Sequence, residues 1–196
     1  MNQFKKNITN EELNQLPLID FQGNTHIIDN NLKANQYRKY FESITDFVGF
    51  DTETKPSFKK GKKNLNLISL IQIATKNDVF LFRINKIEIP DYLIDFFQNP
   101  EVKKIGVAIN DDLKGLNLIK DFSPAGFIDL SSFVNNFEIE ANGLKKIAGI
   151  VLNARISKSQ QLSNWEKKVL TPAQISYAAT DAWICYKIYE HLIKSV

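Results

Sequence analysis

The chain has 196 residues, a formal net charge of +3, 43% hydrophobic and 24% charged residues, and one cysteine, Cys185. This composition is typical of a globular protein of one ordinary domain, and a lone cysteine excludes an internal disulfide and fits a reducing compartment. The sequence has no run of about 18 uninterrupted apolar residues and no apolar N-terminal stretch of the kind that secretory signals contain. We therefore predict a cytoplasmic protein without membrane contact.

The first half of the chain predicts a polar lead-in, residues 1–24, followed by a helix between strands. In the lead-in, Thr9 and Glu12 have the spacing of a capping box, which predicts one short helix closed by Pro17. The apolar spacing that follows predicts a strand at 26–29, a helix near 31–46 and strands at 47–52, 67–74 and 79–84. Three successive strands indicate an antiparallel meander.

The second half predicts an alternation of strands and helices, and then helices. The predicted elements are a helix at 90–99, a strand at 102–109, a helix from 113, a short strand or helix entry at 127–130, a helix at 143–152 and a last helix from 171 almost to the end. This order predicts an α/β fold with a mixed sheet and helices on its faces, in one main domain of residues 25–196.

Acidic side chains follow apolar segments at three separate places. Asp51 and Glu53 lie two residues apart on a predicted strand and share a face, where their mutual repulsion is costly without a cation between them. A D-x-E sequence is also common at solvated strand ends, so the pair alone leaves both interpretations open. Asp112 lies where a second strand gives way to a helix, and Asp181 lies one helical turn after Tyr177.

Four carboxylates can share a small volume only when cations neutralise them. Two divalent ions held by such oxygen ligands, Mg²⁺ or Mn²⁺, form the arrangement that supports in-line attack on phosphodiesters. In that arrangement one ion activates the attacking water, and the other stabilises the leaving 3′ oxygen. A nearby tyrosine can position the attacking water through a hydrogen bond. The acids therefore indicate a phosphodiester hydrolase.

Three stretches carry a family resemblance: residues 50–54 (FDTET), 105–112 (IGVAINDD) and 177–182 (YAATDA). They resemble the exonuclease motifs of the DEDD superfamily, and more narrowly its tyrosine branch (DEDDy), which includes ribonuclease D and the Werner-syndrome exonuclease domain. Shorter matching stretches lie at 69–74, 143–146, 157–158, 162–166 and 170–174. The resemblance covers about residues 25 to 194. It implies a ribonuclease H-like mixed sheet flanked by helices on both faces and 3′–5′ exonuclease activity on DNA or RNA.

The resemblance also implies a role for each matching residue. Asp51 is expected to bridge both metal ions, with Glu53 and Asp181 completing the site of the water-activating ion. Asp112 is expected to bind the other ion, and Tyr177 takes the place of the water-orienting residue. Asp111, beside Asp112, is assigned no catalytic role, and the two histidines, His26 and His191, lie outside the motif that defines the histidine branch.

One threonine and several basic and aromatic residues around these motifs are candidates for contact with a single-stranded or frayed 3′ end. They are Thr52, Lys55 and the lysines that follow it up to residue 63, Lys158 and Trp165. Lysines would pair with phosphates and Trp165 would stack on a base. Trp165 could equally be a packing residue, and the lysine run could equally be a solvated surface. Because the chain ends at Val196, we expect substrate contact to come from the nuclease domain itself, from oligomerisation or from a partner.

Two other functions fit parts of the sequence. A catalytically silent nucleic-acid-binding or scaffold protein could have the same fold, although such proteins usually lose one of the acids or the tyrosine. A nucleotide-binding or structural α/β domain could carry the acids as ordinary surface residues. The sequence has no glycine-rich phosphate loop to support that interpretation.

Overall fold

A computed structural model describes residues 4–54 and 68–195 of the chain. Its helices are α1 (Asn10–Gln15), α2 (Asn31–Gln36), α3 (Arg38–Glu42), α4 (Asp91–Gln98), α5 (Asn110–Ile119), α6 (Leu130–Phe133), α7 (Leu144–Leu152) and α8 (Pro172–Ile193), with a 3₁₀ turn at Val134–Phe137. Its strands are β1 (Asn24–Ile28), β2 (Phe47–Thr54), β3 (Ile68–Ala74), β4 (Asp78–Phe82), β5 (Lys103–Gly106) and β6 (Phe127–Asp129). Among the described helices, none combines the length and the apolar character that crossing a membrane would need.

Within the described residues, the strands form one mixed sheet in the order β1-β4-β3-β2-β5-β6. The antiparallel pairs β2/β3 and β3/β4 form the predicted meander, whereas β1, β5 and β6 add in parallel. β2 therefore lies inside the sheet, with β3 on one side and β5 on the other. The prediction of a mixed sheet is confirmed.

Helices cover both faces of this sheet, as predicted. One face packs Phe50 and Phe80 against Phe41 of α3, Phe97 of α4 and Leu116 of α5, all of them buried. The opposite face packs against α7 and α8 through a second set of buried residues, among them Ile147, Ile184 and Ile188. Burying each such side chain contributes about 1.5–3 kcal/mol, so the two layers hold β2 rigidly between them.

The backbones of β2 and α8 approach closely at Gly49. A Cβ atom on Gly49 would lie only 1.9 Å from the carbonyl oxygen of Ala182, so only glycine fits this position. Since alternate residues of a strand share a face, Gly49, Asp51 and Glu53 all face α8. The missing side chain thus lets the helix that carries Asp181 lie directly against the strand that carries the acidic pair.

The lead-in packs against the same helices. Leu13 is fully buried, and its Cδ2 atom occupies the space that a Cβ on Gly149 of α7 would take. The predicted capping box is present, since Thr9 and Glu12 exchange hydrogen bonds. Farther along, the Phe21 backbone N–H donates a buried 3.0 Å hydrogen bond to Oγ1 of Thr180 in α8. The boundary between lead-in and domain at residues 24 and 25 stays a prediction.

Three predicted elements differ clearly from the structure. The helix predicted over 31–46 is two short helices, α2 and α3, separated at Tyr37, whose hydroxyl contacts Nδ1 of His26 at 3.1 Å. The strand predicted over 102–109 ends at Gly106, because Ala108 takes a left-handed φ of 57° and its N–H donates to Asp129. α5 consequently begins at Asn110, three residues earlier than predicted.

Candidate active site

Three carboxylates meet where β2 lies against α8. Asp51 and Glu53 come from alternate positions of the strand, and Asp181 comes from the middle of the helix. One ligand oxygen from each lies within 4.8 Å of the other two. Glu53 and Asp181 are only 9% and 7% exposed, so water does little to screen their charges. The structure therefore brings together three of the four predicted metal ligands.

α8 delivers Tyr177 and Asp181 to the same side of the site. The helix begins with a capping box between Thr171 and Gln174 and has Pro172 in its first turn, which fixes where it starts. Tyr177 and Asp181 are separated by four residues and thus lie one above the other on one face. Both are buried.

Asp112 lies beside the three carboxylates but outside their cluster. It belongs to the first turn of α5, and its Oδ1 accepts a hydrogen bond from the hydroxyl of Thr52. Thr52, itself buried, precedes Glu53 on β2 and faces the opposite side of the sheet, where α5 packs. The Thr52 hydroxyl is thus occupied by a hydrogen bond to a predicted metal ligand. Asp111 points into solvent and pairs with Lys114 at 2.9 Å, in keeping with the absence of a catalytic assignment.

Burial and mutual repulsion raise the pKa of the two strand carboxyls. Desolvation raises the pKa of Asp51 well above its usual value, and the charges of Asp181 and Asp112 add to the rise. Desolvation also raises the pKa of Glu53 to about 9, with further contributions from Asp51, Asp181 and Asp112. The charged forms of these acids are therefore costly unless a cation is present.

The two helix carboxyls, Asp181 and Asp112, show the same effect more weakly. Desolvation raises the pKa of Asp181 to about 7, while the Tyr177 hydroxyl and the charge of Lys158 act in the opposite direction. Desolvation raises the pKa of Asp112 to about 6, opposed first by the Thr52 hydrogen bond. The pKa of Tyr177 is raised by burial and by the charges of Asp181 and Glu53, so its hydroxyl keeps its proton at neutral pH.

A cavity of about 340 Å³ opens onto the carboxylates. Its wall includes Tyr177 and two residues of the segment after α7, Lys158 and Gln161. Lys158 is exposed and lies close enough to Asp181 to influence its pKa, so its charge is available at the cavity mouth. Gln161 was not singled out from the sequence, because a glutamine in a polar loop carries no signal of its position in space.

Trp165 does not have the stacking position that one interpretation of the sequence gave it. Its side chain is fully buried, and its ring packs 6.0 Å from that of Tyr177, so no face is open to a base. The packing alternative is the one that fits. Within the described residues, the indole N–H of Trp165 makes no hydrogen bond. Lys55 and the lysines up to residue 63 lie outside the described residues.

The donor set fits a hard divalent cation. All the candidate ligand atoms are carboxylate oxygens, which Mg²⁺ and Mn²⁺ prefer, and a bound cation would stabilise the charged forms that burial and mutual repulsion disfavour. Gly49 was also missed as a site residue. A glycine inside a strand, two positions before an acid, is the signal that could have indicated close backbone approach.

Known proteins share both the sequence and the fold. The chain is 31% identical over 195 residues to the mouse bifunctional 3′–5′ exonuclease/ATP-dependent helicase WRN, covering 90% of this chain but only 13% of the mouse protein. The structure matches the Aedes aegypti Nibbler EXO domain with a TM-score of 0.78 at 23% identity, over 90% of this chain and 91% of the other. It also matches Trypanosoma brucei RNase D in complex with RNA U12, with a TM-score of 0.72 at 18% identity, over 93% and 64% of the two chains.

The structural matches confirm the predicted ribonuclease H-like fold. A family model for 3′–5′ exonucleases matches residues 25–196, which contain every acid of the site. With that match over most of its length, and with the acids gathered beside β2 and α8, the chain belongs to the 3′–5′ exonuclease family.

Proposed function

We propose that this chain is a metal-dependent 3′–5′ exonuclease of the DEDDy branch, which releases nucleotides from the 3′ end of DNA or RNA by a two-metal-ion mechanism. The observation that carries the proposal is the meeting of Asp51, Glu53 and Asp181 within 4.8 Å at a cavity that Tyr177 also lines. A family match alone would also fit an inactive relative. Four buried or half-buried acids, retained at an energetic cost, favour the active form.

Each acid has a place in this proposal. Asp51, Glu53 and Asp181 would together hold one cation, and Asp112, with Asp51, would hold a second. Divalent cations held there would supply Lewis-acid activation of the attacking water and charge neutralisation at the leaving 3′ oxygen. The carboxylates fix where that chemistry can occur, because β2 and α8 are packed rigidly against each other.

Tyr177 and Lys158 would act on the nucleophile and the substrate. The Tyr177 hydroxyl, protonated at neutral pH, is available to hold and orient the attacking water. The ammonium group of Lys158 lies at the mouth of the cavity, where it would pair with a backbone phosphate of a single-stranded or frayed 3′ end. Thr52 and Lys55 remain proposed substrate contacts.

Both DNA and RNA are candidate substrates. The trypanosomal relative was solved with RNA, but at 18% identity that likeness carries the fold alone. The two polymers differ at the 2′-hydroxyl, so a binding site for that group would decide between them.

A single assay tests the activity. Purified protein is incubated with 5′-labelled 3′-overhang DNA and with 5′-labelled single-stranded RNA, each in Mg²⁺, Mn²⁺ or EDTA. We expect a ladder shortened from the 3′ end with either cation and no shortening in EDTA. Removing a metal ligand should lower the activity at least as much as removing a residue that only supports a ligand. Asp51→Ala should therefore lower the rate by about 100-fold or more.

The chain offers a matched control for the acids. Asp112→Ala should abolish most of the activity, whereas Asp111→Ala should leave it unchanged, since the Asp111 side chain is 92% exposed and pairs with Lys114 at the surface. Tight binding to both substrates without shortening under any cation would overturn the proposal. That outcome would favour a catalytically silent nucleic-acid-binding or scaffold protein.

A further inference from the structure

Gln72 is a fully buried polar side chain whose amide makes no hydrogen bond. It lies in the middle of β3 with no exposed surface, and neither Nε2 nor Oε1 has a partner among the described residues. A buried amide without partners has lost its hydrogen bonds to water and gained none in return, so it lowers the stability of the fold. Such groups are rare in folded proteins, and their locations therefore call for a physical reason.

All but one of the neighbours of Gln72 on the same face of the sheet are apolar. Its neighbours on the same face of β3 are Leu70 and Ala74, and its partner on β4 is Leu81. Ala178 and Ala182 of α8 belong to the same buried cluster as those three residues. None of these side chains offers a donor or an acceptor.

The exception is Asp51, which is the register partner of Gln72 on β2. Residues directly opposite in an antiparallel pair share a face and have Cβ atoms about 4.5–5.5 Å apart. A glutamine amide at that separation reaches an aspartate carboxylate by rotation about its side-chain torsions. Within the described residues, the Asp51 carboxylate accepts one hydrogen bond, from the Thr52 N–H to Oδ1 at 2.9 Å. Oδ2 is thus left with unused acceptor capacity.

We infer that Gln72 is a positioning residue for Asp51, whose amide N–H group orients the Asp51 carboxylate for cation binding. The inference rests on the proposed function, because it assumes that Asp51 is a cation ligand. Groups behind a ligand commonly fix its orientation, and losing one costs about 10–100-fold in metal affinity. The unpaired amide is then a stability cost that is retained for the sake of the site.

The test measures Mn²⁺ binding by titration calorimetry on the full chain without substrate, together with thermal unfolding in EDTA. Gln72→Met keeps the side-chain volume and removes the two unpaired polar atoms. We expect this variant to bind Mn²⁺ about 10-fold more weakly or worse. In EDTA its melting temperature should be unchanged or higher, because no hydrogen bond is lost. A purely structural role would instead lower stability and leave the affinity unchanged.

Ser69 supplies the matched control. It lies on the same strand, is 1% exposed and also has an unpaired side-chain oxygen, but its odd spacing from Gln72 places it on the opposite face. Ser69→Ala should leave the Mn²⁺ affinity at the wild-type value. Should Gln72→Met fail to fold, Gln72→Asn replaces it, since it keeps the amide but withdraws it from Asp51, and it should also weaken binding.

The outcomes separate the inference from the function on which it depends. Wild-type affinity in Gln72→Met, or in Gln72→Asn if that variant is needed, overturns the role of Gln72 while the exonuclease proposal stands. An equal loss of affinity in Ser69→Ala also overturns it, because the effect would then be general to β3. Absence of Mn²⁺ binding by the wild-type chain overturns both.

Discussion

At position 49 the distance between two elements is set by the absence of a side chain. The acids of the site come from different parts of the chain, so their separation depends on how closely α8 approaches β2. Gly49 allows the carbonyl oxygen of Ala182 to occupy the space of a Cβ atom. Asp51 follows two residues after Gly49, and Asp181 immediately precedes Ala182, so the contact acts directly on the distance between the two carboxylates.

Gly49→Ala is therefore expected to damage both stability and the site. Because the neighbouring atom is backbone and cannot rotate away, the free energy of unfolding should fall by about 1–3 kcal/mol, measured by urea unfolding. The Mn²⁺ affinity should fall as well, since α8 must move outward. Gly115→Ala is the control, because its Cβ would meet only side-chain atoms of Ile68, Cδ1 at 3.0 Å and Cγ1 at 3.2 Å, and alanine favours the helix. Unaltered metal affinity in Gly49→Ala would contradict this account.

At the scale of elements, a buried lysine joins β5 to the end of α4. Lys104 has no exposed surface, and its Nζ donates to the carbonyl oxygens of Phe96, Asn99 and Val102 at 3.2, 2.7 and 2.9 Å. These carbonyls include ones that the end of the helix leaves without partners. Desolvation lowers the pKa of Lys104 to about 8. β5 leads into α5, so this contact also anchors the strand that precedes Asp112.

The lowered pKa predicts a rise of stability with pH. Between pH 8 and about 10.5 the unfolded chain binds more protons at this lysine than the folded chain, so the free energy of unfolding rises by at most about 1.4 kcal/mol per pH unit. Lys104→Met should remove that contribution. The measurement is urea unfolding at several pH values from 7.5 upward, about half a unit apart. Lys103→Met, at the half-buried neighbour, should retain the wild-type slope.

Elements were predictable from sequence where the signal was local. An apolar run placed β2, a capping box placed the start of α1, and a proline at the first helical position placed the start of α8. The break at Tyr37 and the turn at Ala108 were not, because each depends on a partner distant in sequence, His26 and Asp129 respectively. Short segments carry too little local information to show such contacts.

The site, too, was predictable from the sequence only where the signal was local. The motifs identified each acid, but the hydrogen bond between Thr52 and Asp112 joins residues 60 positions apart. The burial of Trp165 depends on Tyr177 of α8, and a tryptophan in a polar loop has the same sequence signature whether it is exposed or buried. Gln72 becomes notable only once its lack of partners is seen in three dimensions.

For the whole molecule, the lead-in contributes to the layer that supports the site. Its backbone also joins the segment after α7, where Ile19 and Arg155 are linked by a 3.0 Å backbone hydrogen bond. The buried bond from Phe21 to Thr180 reaches the residue immediately before Asp181. Supporting contacts for the helix thus come from residues that precede the family match, which begins at residue 25.

Thr180→Val tests this support. The substitution keeps the shape of the side chain but leaves the Phe21 N–H buried without an acceptor, so the free energy of unfolding should fall by about 1–3 kcal/mol. Limited proteolysis should also cut the lead-in faster than in the wild type. Ser176→Ala, one turn earlier on α8, loses only a 3.5 Å contact with Asp20 and should change stability by less than about 0.5 kcal/mol. Equal effects of the two substitutions would show that the Phe21 contact has no special weight.

The Phe21–Thr180 contact bears on how fragments of this chain are to be interpreted. The family match begins at residue 25, whereas some of the residues that α8 needs as neighbours precede it. A fragment that begins at residue 25 would keep every acid of the site and lose the chain segment packed beside Thr180. If such a fragment were inactive, the cause would be the loss of support for its last helix. The catalytic activity should therefore be measured with the longer chain.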